Sequence, residues 1–283
     1  MTSRRFSQLF RRKSTSSEGT PSSPRTGGCL VCGAPNLRRR TVTSTANASL
    51  VKTVNVCPRC GYVAIDELPV VRYRNAKSVD ELPTGGNRIG TLDRPGREFQ
   101  MGKMAVDILG REGLDVMVYG AGRSLDNHHL AALDQVNEVA IGDIMKVRDD
   151  AAFYDVNLPA TRKFDVVIAS EVVEHFRNPR ADFARLFEFV APDGLLVCGT
   201  SIKDGKRLSK HRYIFYPDHT SYYTPRSLQI IAREHGFRID FRSPQRSGLR
   251  KRYVLFTRSL DIQEEIALYF GTRSFAPSTS DPA

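Results

Sequence analysis

The sequence predicts an α/β protein with a doubly wound, mostly parallel sheet, preceded by a small module built on four cysteines. Three observations predict it. From Arg97 onward, helical and strand-like segments alternate, the order that gives parallel strands joined by crossover helices. Phe164-Asp165-Val166-Val167-Ile168-Ala169-Ser170 is a nearly continuous apolar run, as expected of a central strand buried on both faces. Upstream, Cys29-Leu30-Val31-Cys32-Gly33 and Cys57-Pro58-Arg59-Cys60-Gly61 form two Cys-x-x-Cys-Gly knuckles with 24 residues between them.

The elements follow in order. Residues 1–28 are dominated by Ser, Thr, Pro, Gly and Arg and carry too little apolar surface to offset chain ordering, so they read as a disordered basic tail. Within it Phe6, Leu9 and Phe10 stand at helical spacing beside Arg4, Arg5, Arg11, Arg12 and Lys13, a pattern suited to an anionic membrane or a nucleic acid, in competition with a merely solvated tail. Residues 29–74 form the cysteine module and residues 75–96 a linker punctuated by Gly85-Gly86 and Pro95-Gly96. The main domain spans residues 97–260. It opens with a helix at 97–111, a strand at 115–119, a helix at 127–133, a strand at 136–141 and a weaker strand at 152–156. A central strand at 165–169 leads to a helix at 178–190, and Pro192-Asp193-Gly194 reads as a turn into a strand at 195–199. A helix at 225–234 ends before Gly236, and strands at 237–242 and 253–257 close a seven-stranded sheet with one antiparallel member. Residues 261–283 are expected to be a C-terminal helix and flexible tail.

The net charge of +11 is concentrated at the front. Residues 1–60 hold 11 Lys/Arg against Glu18 alone, and the other 223 residues carry 31 basic and 30 acidic side chains. A basic partner-binding surface is therefore expected in the front fifth of the chain, and the main domain's substrate need not be a polyanion. No apolar run approaches the roughly 18–20 residues that cross a bilayer, and the Arg- and Ser-rich start lacks the apolar centre of a secretory signal. These features predict a cytoplasmic protein, peripheral to the membrane if the tail binds lipid; the oligomeric state is not encoded legibly.

Each knuckle turns two thiolates toward one point, and four thiolates complete tetrahedral zinc with no position left open for chemistry. Cys29, Cys32, Cys57 and Cys60 are thus expected to hold a structural zinc ion, with disulfides the competing reading. Cys198, inside Leu195-Leu196-Val197-Cys198-Gly199, reads as a small core residue. Arg38-Arg39-Arg40 between the knuckles suits phosphates, against the plainer view of a small domain that needs metal because its core is small.

Ligands of open α/β sheets bind beyond the carboxyl ends of the strands. That rule points to two places. Val118-Tyr119-Gly120-Ala121-Gly122 puts a glycine turn directly after the first strand, and Gly142-Asp143 ends the second with a carboxylate about 20 residues on, suited to ribose hydroxyls. Beyond the central strand, Ser170-Glu171-Val172-Val173-Glu174-His175 supplies two carboxylates and an imidazole.

Taken with Asn157-Leu158-Pro159, Pro192-Asp193-Gly194-Leu195-Leu196 and Arg233-Glu234-His235-Gly236-Phe237, these pieces resemble the class I S-adenosylmethionine-dependent methyltransferases over residues 97–257, a family with a Rossmann-like sheet. The resemblance implies S-adenosylmethionine as cofactor, with Gly120 and Gly122 at the methionine part, Asp143 at the ribose, Asp155 at the adenine amino group, and Ala121 and Ser170 also among the cofactor-binding residues. Val118 and Ser124 depart from the common first-strand motif, which has an acid and a third glycine there. The knuckles are similar to the zinc module of certain deoxysugar C-methyltransferases, and Tyr216-Pro217-Asp218-His219-Thr220-Ser221-Tyr222-Tyr223-Thr224-Pro225 is similar to a segment of that broader group, making His219 a second candidate base. Glu171-x-x-Glu174-His175 resembles the metal-binding segment of ubiquinone-pathway and small-RNA O-methyltransferases.

Methyl transfer from a sulfonium is an in-line displacement in which a base only removes the acceptor's proton. His175 or His219 is expected to serve, with Glu171 or Glu174 fixing the tautomer; a divalent cation at Glu171, Glu174 and His175, or a structural role for the carboxylates at the helix start, are the alternatives. The expected function is methylation of a small-molecule, sugar or glycan/lipid-linked acceptor on oxygen or carbon. Two rivals are an RNA methyltransferase that captures substrate with the zinc module, and a non-catalytic scaffold that keeps the fold.

Overall fold

A computed structural model of the chain describes residues 27–69, 76–82, 88–203, 205, 207–243 and 251–271. The tail to residue 26, Gly85-Gly86 of the linker and the last twelve residues lie outside the described residues.

Three short strands follow the first knuckle: β1 (Arg38–Thr43), β2 (Val51–Val56) and β3 (Val63–Ile65). The main domain then runs α1 (Arg97–Leu109), β4 (Leu114–Tyr119), α2 (Asp126–Ala131), β5 (Val136–Asp143), β6 (Ala152–Asp155), β7 (Phe164–Ser170), α3 (Pro179–Glu188) and β8 (Val190–Ser201). It closes with β9 (Ser221–Tyr222), α4 (Pro225–Glu234), β10 (Arg238–Arg242), β11 (Lys251–Thr257) and α5 (Leu260–Tyr269).

Seven strands form the main sheet in the order β10-β11-β8-β7-β4-β5-β6. β4 pairs in parallel with both β5 and β7, and β7 with β8, while β11 runs antiparallel to β8 and β10. The expected single antiparallel member is therefore β11. Period-two alternation sends successive side chains to opposite layers. Val116, Val118, Val166 and Ile168 pack with Met104, Leu130 and Ile266, whereas Met117, Tyr119, Val167 and Ala169 pack with Phe183, Leu228 and Ile231. Both faces are covered by helices, which is why the central strands read as unbroken apolar runs.

One element departs from expectation. Pro192-Asp193-Gly194 does not end in a turn ahead of a fresh strand; β8 passes through it from Val190 to Ser201. The register explains the confusion. Phe164 lies opposite Val190 and Val166 opposite Leu195, so three extra residues bulge out of the strand there. A bulge draws on the same Pro, Asp and Gly chemistry as a turn.

A second sheet has the order β1-β2-β3-β9. Its last strand comes from beyond β8 in sequence: Val63 pairs with Tyr222 and Ala64 with Ser221. The knuckles pack against the same layer as α3 and α4, since Cys29, Val31, Cys57 and Cys60 share a cluster with Phe183, Tyr223 and Leu228.

Candidate active site and cysteine centre

The carboxyl ends of β4, β5 and β7 open into a cleft of about 500 Å³, within the range of small-molecule sites. Its walls include Gly120, Gly122, Asp143, Glu171 and His175, so the two places singled out in the sequence face one space.

Gly120 is the residue on which the first wall turns. Its φ is +71°, its N–H donates to the Gly142 carbonyl at 2.7 Å, and a Cβ there would lie 2.6 Å from Val172 Cγ2. Only glycine meets all three conditions without displacement. Ala121 is buried beneath the turn, and Ser124, which stands where the family's third glycine is usual, is buried with its hydroxyl donating to Glu98 at 3.1 Å. Asp143 Oδ1 accepts from Ile144 N at 2.7 Å and its Oδ2 lies 3.5 Å from Gly122 N. Burial pushes the Asp143 carboxyl above the ordinary aspartate range, with those backbone N–H groups opposing the shift. Asp155 is outside the cleft lining: its Oδ1 is held by Asn157 through N at 2.9 Å and Nδ2 at 2.8 Å, and Val156 and Asn157 line the cleft instead. Ser170 is likewise buried behind the lining, next to Gly199.

Past β7 the chain makes a strained exit. Glu171 has φ +57°, the left-handed region that costs a non-glycine residue of order 1 kcal/mol or more. Its N–H is tied to the Gly199 carbonyl at 2.9 Å, and its carboxylate faces Arg97 at 3.6 Å at the cleft wall. Three residues later Glu174 has no exposed surface. Its carboxylate accepts from the Tyr213 hydroxyl and, at 3.1 Å, from Thr200 Oγ1; the same Tyr213 oxygen lies 3.2 Å from Glu171 Oε2.

The two histidines are held alike. His175 Nδ1 donates to the Asp218 carbonyl at 3.0 Å and His219 Nδ1 to the Tyr213 carbonyl at 3.0 Å. A carbonyl only accepts, so both neutral rings carry the proton on Nδ1 and present an unprotonated Nε2. The rings meet edge to face with centroids 4.9 Å apart. His175 lines the cleft, and burial lowers its pKa below the ordinary imidazole value, against the opposing pull of Asp218 and Glu171. His219 is buried, its Nε2 4.0 Å from Glu174 Oε1.

The site thus differs from the sequence expectation in its membership. Donor atoms of Glu174, His175 and His219 lie within 4.8 Å of one another, whereas Glu171 turns aside to Arg97 and Tyr213 and is not in that group. The resemblance to a metal-binding segment groups Glu171 with Glu174 and His175, but Glu171 has a left-handed backbone and its carboxylate faces Arg97, and His175 ends a 3-10 turn of three residues. Glu174 and His219 stand behind the wall rather than on it. Tyr213, Thr200 and Arg97 went unnoticed in the sequence because no motif marks them; only the partial resemblance of the neighbouring 216–225 segment pointed nearby.

The four knuckle cysteines converge as expected. Cys29 Sγ lies 3.6 Å from Cys60 Sγ and Cys32 Sγ 3.5 Å from Cys57 Sγ, with all four within 4.8 Å. Tetrahedral Zn–S bonds of about 2.3 Å require sulfurs about 3.8 Å apart, so the set matches zinc, and the gaps are far too long for disulfides. Cys29 and Cys60 act on each other across their contact, the neighbouring Cys60 lowering the Cys29 pKa while Cys60 itself is pushed up. Cys198 is buried in the sheet, where burial pushes its thiol well up, in keeping with a core residue.

Comparison with known proteins bears on the main domain. Residues 96–240, just over half of the chain, match the profile of a family described as "Methyltransferase domain". Among solved structures the chain is similar to a 1,6-didemethyltoxoflavin-N1-methyltransferase of Burkholderia thailandensis, at 19% identity over 56% of this chain and 76% of that one, with a TM-score of 0.43. It is also similar to an O-methyltransferase family protein from the same organism, at 17% identity over 56% and 55% of the two chains and a TM-score of 0.46. Human N-acetylserotonin methyltransferase, in complex with SAM, matches at 16% identity over 56% and 51% and a TM-score of 0.43. The chain spans about half the length of these last two. No curated protein matches it in sequence.

Proposed function

Because the chain belongs to the methyltransferase-domain family, we propose that it transfers the methyl group of S-adenosylmethionine to a hydroxyl of a sugar, small-molecule or glycan/lipid-linked acceptor, with His175 as the base. The observation that carries the reading is the position of His175: it lines the same cleft as Gly120, Gly122 and Asp143, and its Nδ1–H bond to the Asp218 carbonyl leaves an Nε2 with no hydrogen-bond partner among the described residues. In this reading the Gly120–Gly122 turn and Asp143 take the cofactor's amino-acid and ribose parts. Low pKa keeps His175 neutral, the form able to accept a proton from a hydroxyl. Glu174 acts from behind the wall as a positioning residue for His219, and the four cysteines hold zinc that fixes the front module.

Calorimetry with S-adenosylmethionine tests the cofactor half: binding is expected, with loss on Asp143→Ala, and silence at millimolar cofactor would leave the scaffold reading standing. Comparing small metabolites, glycans and lipids from cells with and without the active protein tests the acceptor half, through a mass difference of about 14 daltons, one methylene.

The convergence of Glu174, His175 and His219 favours a second reading, in which two imidazole Nε2 atoms and a carboxylate hold a divalent cation. The donor set suits manganese, iron or zinc. Such an ion would hold the acceptor oxygen and acidify it. Metal analysis and a chelator separate the two: turnover that survives chelation while the cysteines retain their zinc favours the base alone.

A further inference from the structure

The β1–β2 hairpin and the segment that follows β8 are built as one surface. Val42 and Val54 share a core with Tyr213, Ile214, Phe215 and Tyr222. Thr45 N and Oγ1 both donate to the Ser209 carbonyl, at 3.0 and 3.2 Å, and Lys52 Nζ lies 3.5 Å from the Tyr216 carbonyl. With Val42 turned into that core, Arg40 and Arg38 stand on the same face of β1, beside the segment that supplies Lys203, Arg207, Lys210 and Arg212. Arg40 is close enough to Lys203 for its charge to add to burial in lowering the lysine's pKa. Among the described residues none of these six cations takes part in an ion pair, while Arg39, on the opposite face, is paired with Asp66 at 2.7 Å. Like charges assembled on a shared core, with no acid ion-paired to them among the described residues, repel one another and are relieved by a partner of opposite sign.

We propose that this face docks on an anionic lipid surface and presents the cleft to an acceptor carried there. One exposed aromatic side chain borders it, Tyr216, whose carbonyl lies 3.5 Å from Lys52 Nζ, of the kind that enters the headgroup region beside cations. Tyr216 is the one large exposed aromatic at this face among the described residues, where single-strand binders use a succession of aromatic platforms, so the composition favours lipid over nucleic acid. The sequence ahead of the module repeats the chemistry, with Arg4, Arg5, Arg11, Arg12 and Lys13 around Phe6, Leu9 and Phe10. Orientation agrees: Asp218, two residues past Tyr216, lines the cleft and holds His175. The inference deepens the acceptor reading toward a lipid-linked molecule and rests on that reading for which molecule is methylated, but not for the docking.

The test is flotation of the full-length protein with vesicles of equimolar phosphatidylglycerol and phosphatidylcholine, against phosphatidylcholine alone. Binding to the anionic vesicles only is expected, falling with salt. Removing Arg38, Arg40, Lys203 and Arg207 together as alanines should weaken it on the order of several hundredfold, about fivefold or about 1 kcal/mol per cation, with zinc content and unfolding temperature unchanged. A second variant, Arg11→Ala/Arg12→Ala/Lys13→Ala, separates the tail. Vesicle binding that the face variant leaves intact, or that only the tail variant removes, overturns the proposal; so does a face variant that loses an oligonucleotide but keeps the vesicles. Calorimetry with S-adenosylmethionine on the same samples reports on the methyltransferase reading independently.

Discussion

The Thr224 hydroxyl donates to the Cys60 carbonyl at 2.6 Å, joining the second knuckle to the first turn of α4. The same oxygen accepts from Ser227 N at 3.1 Å as the helix N-cap, and Gly61, at φ +73°, leaves the room that the Thr224 methyl fills. Thr224→Val removes both hydrogen bonds while keeping the shape. It should lower stability by about 1–2 kcal/mol and hasten zinc loss to a chelator, whereas Thr224→Ser should restore the cap. A valine variant as stable to urea as the parent would show that the joint carries no load.

Cys57→Ser should release zinc and loosen the front module, because three thiolates no longer close a tetrahedron. Cys198→Ser should leave zinc content unchanged, since Cys198 is buried in β8 and outside the cluster. Metal analysis of the two purified variants checks both statements, and equal zinc in both would remove the cysteine centre.

The legible parts of this molecule are those set by local pattern. Alternating elements specify the sheet, the glycine turn follows directly after β4 and Asp143 ends β5, and the knuckles are defined by five residues apiece. What escaped depends on distant chain meeting distant chain. Tyr213 reaches Glu174 across 39 residues and His219 joins it across 45, through a segment with no periodicity to predict its path. Glu171 escaped for another reason: nothing in its side chain announces a left-handed backbone.

A buried acid sets a pH dependence of stability. Burial pushes the Glu98 carboxyl up to about 7, with Arg97 opposing and Asp126 reinforcing the shift. Folded protein therefore holds a proton that unfolded chain releases between about pH 4.5 and 7, and stability contributed by this group falls as pH rises through that window. Glu98→Gln should flatten this part of the profile and be the more stable form at pH 8. Urea midpoints for the two proteins across pH 5–8 measure it; parallel curves would show that Glu98 does not carry the effect.

His175 and His219 should separate under substitution, because one faces the cleft and the other stands behind it. His175→Ala should slow turnover by about 10²–10⁴-fold, the usual contribution of a general base, while S-adenosylmethionine binds as before. His219→Gln acts through packing and the Glu174 contact, so its cost should appear partly as lost stability and less as lost rate. A hydroxyl acceptor more acidic than the natural one should rescue His175→Ala and not His219→Gln, since only a missing base is compensated by an easier proton. Equal rescue of both, or undiminished turnover in His175→Ala, would move proton removal away from His175.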